Sequence, residues 1–358
     1  MEEIKSKMPY VNLGRSGIKV SKFSYGNLSF WTQDIDSVQA QVNKMIKASF
    51  DAGINFFDTA EVYAHGAGEK MLGTALKALN VPRSDYVVTT KLYFGVFPET
   101  VNKVNQKGCS RKRLTEGMNK SLERLQLDYV DVVFCHRYDH HTPTIEVIQT
   151  IKDILESGKA LYWATSNWPV ERIFEAILLS DIIGCPRPIC EQCEYSMFHR
   201  HEIERHYVPL FKDYGLATMI WSPLNGGVLT GKYNDGFPEG SRFHEHKDWW
   251  TQRTKKGALF SPENRDATFA KLRGLGEIAK ELGCTQAQLA IAWTLKIDDV
   301  TNVIVGAKNE KQLKENLEAL NFVDKITPEV AERIETLLDN RPEQDIDHSY
   351  DIPLPDRR

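Results

Sequence analysis

The chain has 358 residues, 41% of them hydrophobic, with 45 basic and 49 acidic side chains. That hydrophobic share builds a sizeable core and excludes a wholly disordered chain. Near-balanced charge argues against nucleic acid as the main partner, since phosphate binding needs a basic surplus or a basic face.

Membrane insertion is not expected, because no apolar run approaches the roughly 20 residues of a spanning helix. The opening MEEIKSKMPY lacks the apolar centre of a signal peptide, so a cytoplasmic location is expected. Residues 10–20, YVNLGRSGIKV, read as a β-hairpin with Arg15, Ser16 and Gly17 in its turn. Short β-branched runs then alternate with longer amphipathic ones. The expected strands are Phe23–Tyr25, Asn55–Asp58, Tyr86–Lys91, Val130–His136, Ala160–Thr165, Ile189–Gln192, Ala217–Trp221 and Asn302–Val305. Expected helices between them include Val38–Ala52, Ser110–Leu125, Thr144–Ser157, Val170–Ser180 and Ile203–Tyr214.

Eight strand–helix alternations predict an α/β protein with a parallel sheet, and eight strands close a (β/α)8 TIM barrel. A doubly wound open sheet is the competing architecture. It usually places a glycine-rich turn after the first strand, where this chain has GNLSFW with a single glycine. The length beyond about 250 residues is assigned to a long loop after the seventh strand, Asn225–Asn264, and to a C-terminal extension with a helix over Pro328–Asp339. Without a repeat or a dividing linker, residues 1–358 are read as a single domain, with a core at about 9–340 and a polar tail over 341–358.

Cys190 and Cys193 form a C-x-x-C pair within an expected strand, where residues three apart face opposite ways. A redox pair instead wants its first cysteine at a helix N-terminus, so a structural role is expected. Gly226-x4-Gly231-Lys232 imitates a P-loop, but Tyr233 stands where magnesium needs a Ser or Thr. The histidine pairs His140-His141, His199-x-His201 and His244-x-His246 lack further ligands at useful spacing, and no metal is expected.

Reactive groups of an α/β barrel come from the C-terminal ends of its strands. Here those ends carry Asp58, Lys91, His136, Ser166 with Asn167, and Gln192. Any one of them reads equally well as a strand end meeting solvent; their common convergence on one rim is what points to chemistry. Tyr63 lies five residues beyond Asp58, within reach of the barrel mouth. A phenol with an ordinary pKa near 10 holds a proton to give. A neighbouring ammonium, Lys91, is expected to lower that pKa, with Asp58 keeping the lysine charged. His136 is positioned to donate a hydrogen bond to a substrate oxygen. Together these make the acid half of a carbonyl reduction, with hydride left to a cofactor. Tyr93, an aromatic just past a strand end, is a candidate wall of the substrate pocket.

The stretches GINFFDTAEVYAHGAGEKMLG, VVTTK, LERLQLDYVDVVFCHR, WATSNW, ICEQCEY, WSPLNGGVLTGKY and VGAKNEKQLKEN resemble the aldo-keto reductase superfamily. Within it they are most similar to the branch of voltage-gated potassium-channel β subunits. The resemblance implies an (α/β)8 barrel that binds NADPH, with Asp58, Tyr63, Lys91 and His136 as its catalytic tetrad. It further implies that Ser166, Asn167 and Gln192 hold the nicotinamide amide and that Trp221 stacks on the nicotinamide ring. Ser222, Pro223, Leu224, Asn225, Gly226 and Lys232 match the loop across the pyrophosphate, with Arg242 as a phosphate or adenine contact. Gly306, Lys308, Gln312, Glu315 and Asn316 match the adenosine end. A helix N-terminus beside Lys308 also suits an anion such as a 2′-phosphate. Asn27 and Trp31 occupy the first strand–helix turn, where relatives make cofactor and substrate contacts. The expected activity is NADPH-dependent reduction of an aldehyde or ketone. The alternative is an NADP(H)-binding channel-type regulatory subunit with slow catalysis, having a homotetramer or a channel's cytoplasmic domain as partners. Animal channel subunits carry asparagine at the position of His136, and the histidine here favours the enzyme.

Overall fold

A computed structural model describes residues 1–30, 34–96, 104–245 and 249–343. A hairpin of β1 (Tyr10–Asn12) and β2 (Lys19–Ser21) precedes the sheet. Eight parallel strands follow: β3 (Phe23–Gly26), β4 (Phe56–Asp58), β5 (Val87–Leu92), β6 (Val130–Cys135), β7 (Ala160–Ser166), β8 (Cys190–Glu194), β9 (Ala217–Trp221) and β10 (Asn302–Val305). They pair in chain order and close when β10 meets β3, as a (β/α)8 barrel does. Around them lie α1 (Glu2–Lys7), α2 (Gln39–Asp51), α3 (Ala67–Leu79), α4 (Arg111–Leu125), α5 (Thr144–Glu156), α6 (Val170–Ile183) and α7 (Val208–Tyr214). The remaining helices are α8 (Arg242–Glu245), α9 (Trp249–Lys256), α10 (Arg265–Leu282), α11 (Gln286–Lys296), α12 (Glu310–Leu317) and α13 (Pro328–Leu338). No helix among the described residues is long and apolar enough to cross a membrane.

Two-residue periodicity separates the two cores. Phe56, Val87, Val132, Phe134, Ala164, Cys190, Ala217, Met219 and Ile304 fill the barrel, joined by Leu13 and Val20 from the hairpin. Phe57, Val88, Val133, Cys193, Ile220 and Val303 face the helices instead. Cys190 and Cys193 thus lie on opposite sides of the wall, both as free thiols, as the strand reading requires. Stepping two residues beyond the inward Phe56, Thr89, Phe134, Ala164, Cys190 and Met219 leads to Asp58, Lys91, His136, Ser166, Gln192 and Trp221. Alternation therefore brings all six to the C-terminal mouth.

One expectation is corrected. The helix expected over Ile203–Tyr214 is instead a π-type turn at Glu202–His206 followed by α7, with Pro209 in the first turn of that helix. Proline has no N–H to donate and restricts the residue before it, so a continuous helix cannot pass through. The long loop after the seventh barrel strand is largely helical, containing a 3-10 turn at Asn225–Thr230, α8, α9 and another 3-10 turn at Ala258–Phe260. Phe237 anchors it, with ring centroids 6.0 Å from Tyr233, 5.6 Å from Phe243, 5.1 Å from Phe260 and 6.2 Å from Phe269. Spread over 37 positions, those aromatics form no periodic pattern that a sequence shows.

Packing of α3 on α4 depends on a glycine. A Cβ at Gly73 would stand 2.1 Å from the carbonyl oxygen of Leu125, well inside van der Waals contact. This close approach seats the middle of α3 against the C-terminal end of α4.

Candidate active site

The centre of the mouth is a buried ion pair. Lys91 Nζ donates to Asp58 Oδ2 at 2.5 Å and to the Thr59 carbonyl oxygen at 2.8 Å. Both partners are almost wholly sequestered, with Lys91 0% and Asp58 2% exposed. The other Asp58 oxygen accepts from Thr89 Oγ1 at 2.7 Å and from Gln192 Nε2 at 3.1 Å. Such full satisfaction is what makes a buried pair tolerable, because two desolvated charges otherwise cost several kcal/mol each.

Tyr63 is carried over this pair by a strained turn. Ala64 and His65 take left-handed φ values of 48° and 54°, followed by Gly66 at 88°. Non-glycine residues in that region cost on the order of 1–3 kcal/mol each, and they concentrate where a site needs them. The Tyr63 hydroxyl ends 3.3 Å from Lys91 Nζ, and the ammonium stands 5.0 Å from the phenol ring centroid. Burial pushes the phenol above its ordinary pKa, and the nearness of Lys91 offsets only part of that. The expected lowering is thus reversed in the net, since desolvation of a phenolate outweighs one nearby cation. Tyr63 stays a protonated donor at neutral pH. For Lys91, burial pulls the pKa down, but Asp58 and Tyr63 together hold it above the ordinary lysine value.

His136 completes the cluster. Its ring lies edge-on to Tyr63 at 6.3 Å between centroids and edge-on to Phe94 at 5.1 Å. Burial, then Lys91 and Arg137, hold its pKa well below the usual histidine value, so the imidazole is neutral and keeps a single N–H. Its Nδ1 is buried without a hydrogen-bond partner among the described residues.

The remaining expected residues divide into groups. Ser166, Asn167 and Gln192 adjoin one another: Asn167 Nδ2 donates to Ser166 Oγ at 2.9 Å and to the Gln192 carbonyl oxygen at 3.3 Å. Trp221 ends β9, and the segment from Ser222 through Pro223 and Leu224 follows directly. Ser222, Asn225, Gly226 and Gly227 all have left-handed φ values there. Ser222 Oγ accepts from the Gly226 N–H at 2.8 Å, while Asn225 Nδ2 is buried without a partner among the described residues. Lys232 and Arg242 are exposed farther along, Arg242 Nε donating to Thr251 Oγ1 at 3.2 Å.

Around α12, the Lys308 N–H donates to Gln312 Oε1 at 3.0 Å and Asn316 Nδ2 to the Gly306 carbonyl oxygen at 3.4 Å. Glu315 uses its carbonyl to accept from Gln288 Nε2 at 3.1 Å. A Cβ at Gly306 would meet Ser29 Oγ at 2.6 Å, so β10 approaches the first barrel turn closely there. Asn27 Nδ2 bonds the Gly68 carbonyl oxygen at 2.6 Å, tying that turn to α3, and its Oδ1 is buried and unbonded among the described residues. Trp31 lies outside the described residues.

Three neighbours of the candidate site escape a reading of strand ends. Thr89 sits two residues before Lys91 on the same inward face, a relation that alternation alone could have revealed. Glu61 accepts from the N–H groups of Tyr93 at 2.8 Å and Gly95 at 3.0 Å and pairs with Arg113. This pins the loop that presents Tyr93 and Phe94, whose rings meet edge-on at 5.0 Å. Glu191 lies behind Asn167, outside the barrel wall; nothing in the sequence distinguishes it from a solvated strand-end carboxylate.

A family model described as the Aldo/keto reductase family matches residues 22–339. A probable voltage-gated potassium channel subunit beta of Oryza sativa subsp. japonica is 43% identical over 340 residues, covering 94% of this chain and 98% of that protein. A protein of the same description from Arabidopsis thaliana is 41% identical with the same coverage. A putative voltage-gated potassium channel subunit beta of Schizosaccharomyces pombe is 40% identical, covering 94% of both chains.

Proposed function

Because the chain belongs to the aldo/keto reductase family, and is thereby an oxidoreductase of a kind that uses a nicotinamide dinucleotide, we propose that it reduces an aldehyde or ketone with NADPH, Tyr63 giving the proton. The observation that carries this reading is the Asp58–Lys91–Tyr63 chain, in which a buried ammonium touches both a carboxylate at 2.5 Å and the phenol oxygen at 3.3 Å.

The residues present suit the cofactor. Ser166, Asn167 and Gln192 offer the mixed donors and acceptors that a carboxamide needs. Trp221 would stack on the nicotinamide ring, and the left-handed Ser222–Gly227 segment and its unbonded Asn225 amide would cross the pyrophosphate. Gly306, Lys308, Gln312, Glu315 and Asn316 would hold the adenosine end, with Lys308 answering a 2′-phosphate. When bound, the dinucleotide supplies hydride to the carbonyl carbon.

The protein manages the oxygen. His136, neutral and with one N–H to give, orients the carbonyl oxygen toward the phenol. Tyr63 transfers its proton as negative charge grows on that oxygen. Lys91 sits where it stabilises the phenolate left behind, and Asp58 keeps the ammonium charged and fixed. Tyr93 and Phe94 wall the approach.

The test is NADPH consumption across aldehydes, ketones and methylglyoxal, with NADH in parallel. Turnover that favours NADPH is expected; tight NADPH binding with no turnover on any of them would overturn the enzymatic reading. That outcome would favour the second reading, a channel-associated regulatory subunit. The descriptions of the three relatives, matched over nearly their full length, speak for it, and His136 speaks for catalysis.

A further inference from the structure

The outer side of the barrel wall, behind the Ser166–Trp168 turn, holds a carboxyl group that the reaction above does not use. Glu191 is 0% exposed, and no cation pairs with it at ion-pair distance among the described residues. It faces away from the mouth, because its strand neighbours Cys190 and Gln192 point inward. Its Oε1 accepts from the Trp168 N–H at 3.4 Å. Across the sheet Glu191 stands in register with Thr165. Glu191 Oε2 and Thr165 Oγ1 are both buried, and neither has a well-formed hydrogen bond among the described residues. A carboxylate and a hydroxyl left so in a dry wall cost free energy; a protonated acid facing the hydroxyl answers both.

The turn in front of this acid is strained. Asn167 has a left-handed φ of 52°, a conformation that a non-glycine residue keeps only when its surroundings over-determine it. What fixes it is visible. The Asn167 N–H donates to the Gln192 carbonyl oxygen at 3.0 Å, the Trp168 carbonyl oxygen accepts from the Tyr207 hydroxyl at 2.7 Å, and Trp168 Nε1 donates to the Cys135 carbonyl oxygen at 3.1 Å. Glu191 supplies the remaining brace, from below.

We infer that Glu191 is a positioning residue for cofactor binding: as an uncharged acid it holds the Thr165–Trp168 turn from outside the barrel, and so keeps Asn167 beside Ser166 and Gln192. The inference rests on the reading that those three residues hold the nicotinamide amide. Burial pushes the Glu191 carboxyl up to about 8, with the Thr165 hydroxyl, the Asn167 and Trp168 N–H groups and Arg137 pulling the other way. The other titratable groups near it are Cys193 and Tyr207 on its own side of the wall and Cys190 on the inner side, with Glu202 next in line behind Cys193 and Tyr207. Burial holds those two thiols and that phenol above their ordinary values, so Glu191 is the group of this set that ionises between neutrality and pH 9.

The experiment is a fluorescence titration of NADPH into the wild-type chain and into Asn167→Ala, Glu191→Ala, Glu191→Gln and the double alanine variant, at pH 7 and pH 9. Glu191→Ala is expected to weaken binding by up to about tenfold, the scale of one lost hydrogen bond, and the double variant to be no weaker than Asn167→Ala alone. Glu191→Gln, a neutral isostere, should bind as wild type does at pH 7 and remove the weakening that wild type shows at pH 9. Additive losses in the double variant, or a loss in Asn167→Ala with none in Glu191→Ala, would overturn the inference alone. Wild-type affinity in Asn167→Ala would overturn the amide-holding reading, and this inference with it. If Glu191→Ala does not fold, the pH comparison with Glu191→Gln decides, and parallel curves would overturn the inference.

Discussion

Lys91 Nζ lies 3.3 Å from the hydroxyl oxygen of Tyr63, so the cation that would stabilise a phenolate is already in place beside the proposed proton donor. The phenol nevertheless remains protonated, because its burial outweighs the nearby charge. In the proposed reaction it is a donor held ready, and the charge it would leave is met without rearrangement.

Tyr63→Phe removes that proton and little else. Turnover should fall by on the order of 10²–10⁴-fold, the usual share of a general acid, while NADPH affinity stays close to wild type. Steady-state kinetics together with a fluorescence titration of NADPH check both halves; undiminished turnover would rule out Tyr63 as the donor.

Lys91→Met tests the pair from the stability side. It leaves the Asp58 carboxylate buried with Thr89 and Gln192 but no cation, and breaking a buried pair in this way costs roughly 3–5 kcal/mol. Adding Asp58→Asn removes the stranded charge. Chemical denaturation should show the double variant regaining most of the stability lost by the single one, with both inactive. A double variant no more stable than Lys91→Met would mean that the charge was not the cause.

His136 should leave no mark on the acid side of the pH profile. Its pKa is held well below the usual value by burial, then by Lys91 and Arg137, so kcat/KM for reduction is expected to show no break near the ordinary histidine value of about 6.5. His136→Ala should lose about 10²–10³-fold in kcat, as loss of an oxygen-binding donor does, and His136→Asn should recover part of it by restoring an N–H. A break near 6.5 that disappears in His136→Asn would show instead that a charged imidazole takes part.

Glu191 gives the fold a pH dependence of definite sign. Its folded pKa of about 8 stands above the ordinary value of 4.5, so the folded chain binds a proton that the unfolded chain releases. The contribution of this group to stability is fully present below about 4.5, and it is lost progressively as pH rises to about 8. Glu191→Gln has no such titration. Denaturant midpoints at pH 5, 6.5 and 8 should therefore show the variant gaining on wild type with each step, and equal pH dependence in both would disprove the assignment.

Strand ends were legible at Asp58 and Trp221, and within one or two residues at Lys91 and Gln192, because an apolar run that stops at a polar or aromatic residue is a local pattern. The hairpin at 10–20 and the eight strands were legible for the same reason. The break before α7 could have been read from Pro209, since the effect of proline on its neighbours is local too. The helices inside the segment after β9 were not legible, because the Phe237 cluster that stabilises them gathers rings scattered along the chain. Glu61 and Glu191 look alike in the sequence, two acids near strand ends. One meets Arg113 and two N–H groups, the other a hydroxyl, an N–H and a dry wall, and only folding makes that difference.

Sequence by itself determined the eight-strand alternation, its inward face, and hence the residues delivered to the barrel mouth, since side-chain period and strand-end chemistry depend on near neighbours alone. Tertiary structure decided the electrostatics. It set Tyr63 3.3 Å from Lys91, reversed the expected direction of the phenol's pKa, made His136 neutral and left Glu191 without an ion-pair cation among the described residues. Those outcomes turn on how much water each group loses, and desolvation is a property of the packed whole rather than of any segment.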